Sequence, residues 1–417
     1  MPMSTADKIP PIVETERAGL LLTGGGARAA YQVGVLEAIA DLRKACGAQD
    51  TGNPFPIITG TSAGAINAAA LACGADDFDA AVRRIVSVWK NFRADQVYRS
   101  DSLSVMRSGA RWLTLLSIGW VVAKWRRVRP RSLLDNSPLS ELLEKMVPLE
   151  RLPELIQQGH IQALAITASS YSSGEHVTFF EGASHLKPWV RSQRFGVRGR
   201  ITIEHLLASS AIPFVFPAMP LQLEGRAEYF GDGSLRQSAP IAGAIHLGSR
   251  RVLVVGAGRM NEPKGNAAPQ TVNHYPSLAQ IAGHALANIF LDALAVDVER
   301  MRRINRTLSL IPLDAQHSSP LRPIELLVIS PSKRLDEMAA RHIALLPVAV
   351  RTMLGGLGVS SQASDVKGAA LASYLLFESG YTQELMALGY ADALAQSDEV
   401  RNFFGWYQPP EPFEREA

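Results

Sequence analysis

The sequence has few cysteines, little excess of either charge and no long uninterrupted apolar run. Only two of its 417 residues are cysteines, which excludes a disulfide framework and makes a reducing compartment the default. The formal net charge of +3 is too small to predict a nucleic-acid partner, because such proteins carry clustered basic residues. No stretch reaches the roughly 18 apolar residues of a membrane-spanning helix, and residues 1–17 lack the apolar core of a signal peptide. These absences favour a cytoplasmic protein.

Length and composition are those of an ordinary, slightly apolar globular protein. Hydrophobic residues make up 47% and charged residues 19% of the chain, a balance that excludes bulk disorder. A chain of 417 residues is longer than one core usually supports, which indicates two or three domains, or one large domain with an appendage. Cys73 lies in an apolar run and is predicted to be a buried free thiol.

Short apolar segments typical of buried parallel strands recur along the sequence, with helical patterns between them. The predicted strands span residues 18–23, 56–59, 162–167, 175–180, 251–256 and 324–330. Helical patterns cover residues 27–42, 65–73, 278–305, 335–357 and 369–395. Strands that alternate with helices predict an α/β fold with a mostly parallel central sheet and helices on both faces.

A serine between two glycines follows the second predicted strand, as Gly60, Ser62 and Gly64. A serine on a strand-to-helix corner projects its hydroxyl from the end of the sheet, and the glycines permit the cramped backbone. The dipole of the following helix favours negative charge near the serine oxygen. An ordinary strand-to-helix turn can carry the same pattern, so the motif alone leaves both interpretations open.

Three glycines, Gly24, Gly25 and Gly26, follow the first predicted strand and precede a helix. The backbone N–H groups of such a loop can bind a phosphate, a dinucleotide or an oxyanion. With Ala29 the loop fits the relaxed dinucleotide fingerprint, but no acidic residue ends the next predicted strand, and no Gly-Lys-Ser/Thr sequence follows. Neither missing residue is needed by a loop that binds an oxyanion, so this third interpretation fits the sequence. Arg28 can either assist such a loop electrostatically or tie it to a neighbouring carboxylate.

A serine nucleophile needs a base within hydrogen-bonding reach, and the sequence offers two candidates. Asp232 lies between glycines after an aromatic pair, as expected for a carboxylate on a tight turn at a strand end. An Asp-Gly turn without function has the same local sequence, so Asp232 gains weight only in combination with the other motifs. His246 is the best histidine candidate for a catalytic triad, but a solvated or structural histidine explains it better.

In this combination and order, the three motifs resemble those of the patatin-like phospholipases. The matching segments are residues 24–28, 60–64 and 232–233. Residues 131–138 also resemble the family's segment before its middle helices, and residues 208–217 resemble its Ser/Ala-rich turn ahead of the catalytic aspartate. The co-occurrence of the motifs is much more specific than any one of them.

The resemblance implies a three-layer α/β/α fold in residues 18–256 and a Ser–Asp dyad in place of a triad. Ser62 would attack the ester carbonyl, and Asp232 would accept its proton and later activate water. The N–H groups of Gly24 to Gly26 would bind the oxyanion with help from Arg28. Such a dyad requires no cofactor and no metal, and the sequence has no cluster of metal ligands.

The remaining segments complete the predicted organisation. Residues 1–17 form a polar lead-in, residues 257–417 form a mostly helical C-terminal region, and residues 100–136 form an inserted lid or membrane-facing arm. Ala29 and Ser234 replace a glycine and a glycine or alanine that are common in the family. Both replacements exchange one small residue for another, and they leave the reactive pair intact.

The resemblance implies a lipid ester substrate, such as a phospholipid, lysophospholipid, galactolipid or acylglycerol. Residues 112–125 are apolar with tryptophan at both ends, and a basic run continues to residue 131. This pattern predicts peripheral contact with an anionic membrane through residues 112–131, although a core helix or a lid would show it too. Two other functions stay open, a nucleotide-binding protein and a lipid-binding protein without turnover. The oligomeric state stays open as well.

Overall fold

The computed structural model describes residues 18–99, 132–260, 277–289, 293–312, 321–359 and 366–406. Within these residues a ten-stranded sheet lies between layers of helices. The predicted lead-in and the membrane-facing segment at residues 112–131 lie outside the described residues. The fold is mixed α/β with a mostly parallel central sheet, as the sequence predicted.

The described strands and helices alternate through most of the chain. The strands are β1 Ala18–Leu22, β2 Ile57–Thr61, β3 Ala163–Ser170, β4 His176–Gly182, β5 Trp189–Arg191, β6 Arg194–Arg198, β7 Met219–Leu223, β8 Arg226–Asp232, β9 Arg251–Val255 and β10 Glu325–Ile329. The helices are α1 Ala30–Ala45, α2 Ala63–Ala72, α3 Phe78–Lys90, α4 Ser137–Met146, α5 Leu152–Gln157, α6 Ile203–Ser209, α7 Ala242–His246, α8 Leu278–Ala287, α9 Ala293–Ser309, α10 Leu335–Ala340, α11 Val348–Gly356, α12 Val366–Ala372, α13 Ser379–Ala395 and α14 Ser397–Phe404.

The strand order in the sheet is β10-β9-β1-β2-β3-β4-β6-β5, and the β7–β8 hairpin joins at β3. The first five strands of this order are parallel, and β4 is antiparallel to β3. Most of their residues are apolar on both faces because helices cover both faces. Leu20 and Leu22 of β1 belong to the larger core with α1 and α13, whereas Leu21 belongs to a second core with α9. This alternation defines the three layers.

Strands β2 and β8 reach the same side of β3 from opposite directions. Parallel strand β2 ends with Thr61 opposite Thr167 of β3. Antiparallel strand β8 ends with Asp232 opposite Ala168, the next residue of β3. The register therefore brings Asp232 to the end of β2, where Ser62 follows.

The C-terminal region shares the sheet and the core of the preceding residues. Strand β10 pairs in parallel with β9, so the predicted boundary at residue 256 falls between two neighbouring strands of one sheet. Helix α13 crosses α1 where a glycine of each helix meets the backbone of the other. A Cβ at Gly34 would overlap the Met386 carbonyl, and a Cβ at Gly389 would overlap the Tyr31 carbonyl.

We expect Gly389→Ala to destabilise the whole fold, because the added methyl group has no space between the crossing helices. Overpacking of this kind typically costs about 1–3 kcal/mol of unfolding free energy, which calorimetry would detect as a lower Tm. Gly355→Ala is the matched control, since Gly355 is an exposed helical glycine whose added Cβ would meet nothing within 4 Å. Equal effects of the two substitutions on the Tm would contradict the tight crossing.

Candidate active site

Ser62 occupies a strained turn between β2 and α2. Its φ of 57° and ψ of −133° lie in a region that non-glycine residues rarely adopt. The flanking glycines make the turn possible: Gly60 packs against the backbone of Ala65, and a Cβ at Gly64 would overlap the carbonyls of Leu22 and Thr23. Ser62 therefore lies on a strand-to-helix corner, as the sequence predicted, and its role as a nucleophile stays a prediction.

The Ser62 hydroxyl donates a hydrogen bond of 2.6 Å to Oδ2 of Asp232. Both side chains are buried, at 1% and 0% relative exposure. The backbone N–H of Ser234 donates to the other carboxylate oxygen at 2.8 Å. Burial raises the pKa of Asp232 to about 6, although the hydrogen bonds from Ser62 and Ser234 partly oppose this effect. The carboxylate is therefore a better proton acceptor than an ordinary aspartate.

Ser209, at the end of α6, connects the two halves of this pair. Its hydroxyl accepts a hydrogen bond from the Ser62 N–H at 2.8 Å and donates to the Thr167 carbonyl at 2.6 Å. Its carbonyl accepts the Gly233 N–H at 3.2 Å. Sequence reasoning did not single out Ser209, although it lies within the Ser/Ala-rich turn at residues 208–217. This hydrogen-bond network ties Ser62 and the turn after Asp232 to the same strand, β3.

Neither His176 nor His246, which lie on and beside the sheet, is hydrogen-bonded to Ser62. A third histidine beside the sheet, His205, packs on Phe179 and is hydrogen-bonded to Thr202. His176, which the sequence analysis missed, is hydrogen-bonded through Nε2 to the Gly233 carbonyl at 2.9 Å. Burial lowers its pKa to about 4, so the ring is neutral at pH 7 and supports the turn after Asp232. His246 stacks on Trp189 with ring centroids 4.9 Å apart. Its pKa is also lowered to about 4, mainly by burial.

The glycine loop follows β1 beside the serine. A Cβ at Gly25 would overlap the Ala257 side chain. Gly26 has a positive φ of 55°, and a Cβ there would overlap the Tyr374 carbonyl. The Ala27 N–H donates to that carbonyl at 3.0 Å. The N–H groups of residues 24–26 donate no hydrogen bond to any described residue. Their binding of an oxyanion, which the resemblance implies, stays a prediction.

Arg28 ties the loop to the C-terminal region. Its Nε donates to the Ser373 hydroxyl at 2.8 Å, and its guanidinium lies 4.2 Å from the centre of the Tyr374 ring. A longer contact of 3.5 Å reaches the Ala370 carbonyl. The sequence allowed two roles for Arg28, electrostatic assistance to the loop or a contact that anchors the loop to a carboxylate. The contacts favour anchoring, but the partners are a hydroxyl, a carbonyl and an aromatic ring and not a carboxylate. Ala29 and Ser234, which replace residues common in the family, are both buried.

An apolar cavity of about 270 Å³ opens beside Ser62 and Gly26. Side chains on one face each of α2, α3 and α4 form most of its wall. The buried thiol of Cys73, predicted from its apolar run, also lines the cavity. A concave apolar pocket with a few convergent polar groups is the usual form of a small-molecule site.

The described residues contain neither a metal-ligand cluster nor a membrane-spanning helix. Within them, no three or more His, Cys, Asp or Glu side chains come together as a group that could hold a metal ion. No helix among them combines the length and apolarity needed to cross a membrane.

The fold is mixed α/β, and a serine occupies the turn between a central parallel strand and the helix that follows it. The model of the family "Patatin-like phospholipase" matches residues 20–245, which is more than half of the chain. The chain belongs to this family. This chain is similar to the crystal structure of VipD from Legionella pneumophila, with a TM-score of 0.37 and 14% sequence identity. The alignment covers 92% of this chain and 67% of the VipD chain. A search of the curated proteins found no match.

We expect Asp232→Asn to stabilise the protein more at pH 8 than at pH 4. Because the pKa of Asp232 is raised, the native state binds this proton more tightly than the unfolded state does. The stability that comes from protonated Asp232 is complete below about pH 3.8 and is lost as the pH rises through about 6. Asparagine cannot ionise, and it should therefore remove a penalty of about 3 kcal/mol above pH 6. Chemical denaturation of both proteins at the two pH values measures the difference.

Asp50→Asn is the control for this comparison, because Asp50 is exposed. Its effect on the unfolding free energy should be small at both pH values. A stability difference between wild type and Asp232→Asn that does not change with pH would contradict the raised pKa.

Proposed function

We propose that the chain is a serine acyl hydrolase that cleaves carboxylic esters of phospholipids, lysophospholipids or acylglycerols. The observation that carries this proposal is the 2.6 Å hydrogen bond from Ser62, in its strained turn, to the buried carboxylate of Asp232. Membership of the patatin-like phospholipase family supports a lipid substrate. The apolar cavity beside Ser62 supports it independently, because it suits an acyl chain better than a polar substrate.

In the proposed reaction, the Ser62 oxygen attacks the ester carbonyl while Asp232 accepts the hydroxyl proton. The tetrahedral intermediate collapses, the alcohol leaves with that proton, and an acyl-enzyme ester remains on Ser62. Asp232 then takes a proton from water, whose oxygen attacks the acyl-enzyme. The fatty acid leaves, and Ser62 regains its proton.

The glycine loop supplies the proposed oxyanion site. The free N–H groups of Gly24, Gly25 and Gly26 are suited to the negative charge that develops on the carbonyl oxygen, and each such donor typically contributes about 3 kcal/mol to transition-state stabilisation. Arg28 assists by fixing the loop through Ser373 and Tyr374 and by adding positive charge.

Both rival functions explain less of the site. A nucleotide-binding protein would use the glycine loop but has no need for the Ser62–Asp232 pair or for an apolar cavity beside it. A lipid-binding protein without turnover would use the cavity but has no need for a carboxylate with a raised pKa, which costs stability. We further propose that residues 112–131 contact the membrane that holds the substrate.

We expect Ser62→Ala and Asp232→Asn each to abolish most turnover of p-nitrophenyl butyrate and of a lysophospholipid. Loss of the nucleophile should lower kcat by at least about 10³-fold, and loss of the base should lower it by about 10²- to 10⁴-fold. Wild type should also be labelled by a fluorophosphonate probe, whereas Ser62→Ala should not.

Ser309→Ala and Asp50→Asn are matched controls at exposed positions, and both should retain wild-type turnover. If wild type is neither labelled nor active on any lipid ester, the hydrolase proposal fails and a lipid-binding function replaces it.

We expect kcat/KM to rise with pH through an apparent pKa near 6 and to level off above pH 7. The free enzyme needs Asp232 ionised, and burial raises its pKa to about 6. Below that value the rate should fall about tenfold per pH unit, because only the ionised fraction can accept the serine proton. A profile that stays flat from pH 5 to pH 8 would exclude Asp232 as the base.

A further inference from the structure

The cavity beside Ser62 follows helix α2 along its whole length. Ile66, Ala70 and Cys73 line it at positions four, eight and eleven after Ser62, so they share one face of the helix. At 1.5 Å per helical residue, they lie about 6, 12 and 16 Å from the serine along the axis. The cavity is therefore elongated, and the nucleophile marks one end.

Helix α3 runs beside α2 in the opposite direction and marks the other end. Near the serine, Trp89 donates a hydrogen bond of 2.9 Å to Asn67. At the far end, the Arg84 guanidinium lies against Gly74, just after α2. The segment that follows α4 reaches the same end, because Arg151 donates to the Cys73 carbonyl at 2.9 Å.

The wall changes character between these two ends. Along α2 and α3 most of its side chains are apolar, including Ile66, Ala70, Ile85 and Val88. Among the described residues of the wall, the exposed ones are Arg84, Lys145 and Met146. The apolar part of the cavity therefore extends from Ser62 at one end to exposed cationic side chains at the other.

We propose that this cavity is an acyl-chain channel whose α2 face measures chain length. The inference rests on the proposed hydrolase function, which holds the scissile carbonyl at Ser62. The polar alcohol part of the ester would lose its hydration inside the apolar channel, so the acyl chain enters it. Each methylene gains from burial until the chain reaches Arg84, and further methylenes emerge into water without gain.

The channel predicts how kcat/KM depends on chain length. In wild type, kcat/KM should rise about fourfold for each buried methylene and level off once the chain passes the exposed end. A bulky side chain on the α2 face should stop this rise earlier, at a length set by its distance from Ser62. Ile66→Trp should stop the rise at the shortest chains, Ala70→Trp at intermediate ones, and Cys73→Trp at the longest.

The experiment compares kcat/KM for p-nitrophenyl esters from acetyl to palmitoyl, below their aggregation concentrations, for wild type and the three variants. Ser87→Trp is the control, because Ser87 is an exposed residue of α3 outside the cavity wall, and its profile should match wild type. Ala70→Leu, a smaller obstruction, replaces Ala70→Trp if that variant does not fold, and labelling by a short-chain fluorophosphonate checks that each site is intact.

The expected result is an ordered series of cut-off lengths for the variants at positions 66, 70 and 73. Superimposed profiles, or cut-offs in another order, would overturn the channel even if every protein were active. If wild type hydrolyses none of the esters and is not labelled, the proposed function itself fails. The two failures are therefore distinguishable.

Discussion

The proposed active site depends on one constraint, the meeting of β2 and β8 end to end along β3. Thr61 and Asp232 lie opposite consecutive residues of β3, so the backbone of the sheet fixes the separation of Ser62 and Asp232. A histidine base usually needs a third side chain to orient it. Asp232 needs none, because its short side chain leaves a strand end directly, and the Ser234 N–H holds its second oxygen. The register of the sheet thus explains why two residues can be sufficient.

This arrangement is costly for the folded state. Ser62 adopts a backbone conformation that typically costs about 1–3 kcal/mol, and Asp232 must ionise without contact with water. Neither cost serves stability, and both persist because the surrounding layers over-determine the local geometry. Gly64, two residues after Ser62, packs against the end of β1, and Ser209 connects the Ser62 N–H to β3 through hydrogen bonds. The same burial that weakens the fold raises the pKa of Asp232 to about 6, which the proposed base requires near neutral pH.

The sequence was sufficient to predict the α/β class, most core strands and the residues of the proposed dyad, because these carry local signals. Apolar runs mark buried strands, and glycines mark the turns around Ser62 and Asp232. Strands β5, β6 and β7 were not predicted, and of β8 only the end at Asp232 was, since these strands lie toward the edge of the sheet or in a hairpin and alternate less clearly. Ser209 and His176 were missed for another reason. Each is a single polar residue whose role arises from partners 147 and 57 positions away, and no local pattern encodes such contacts.

The C-terminal region is structurally part of the site, although the family match ends at residue 245. The Tyr374 carbonyl receives the Ala27 N–H, and the Tyr374 ring and the Ser373 hydroxyl hold Arg28. These contacts use the N–H of Ala27 and the side chain of Arg28, and they leave the N–H groups of the three glycines free. A glycine loop is intrinsically adaptable, because glycine loses more backbone freedom on folding than other residues. The segment after α12 therefore supplies the rigidity that the loop's own sequence lacks, and an oxyanion site requires such preorganisation.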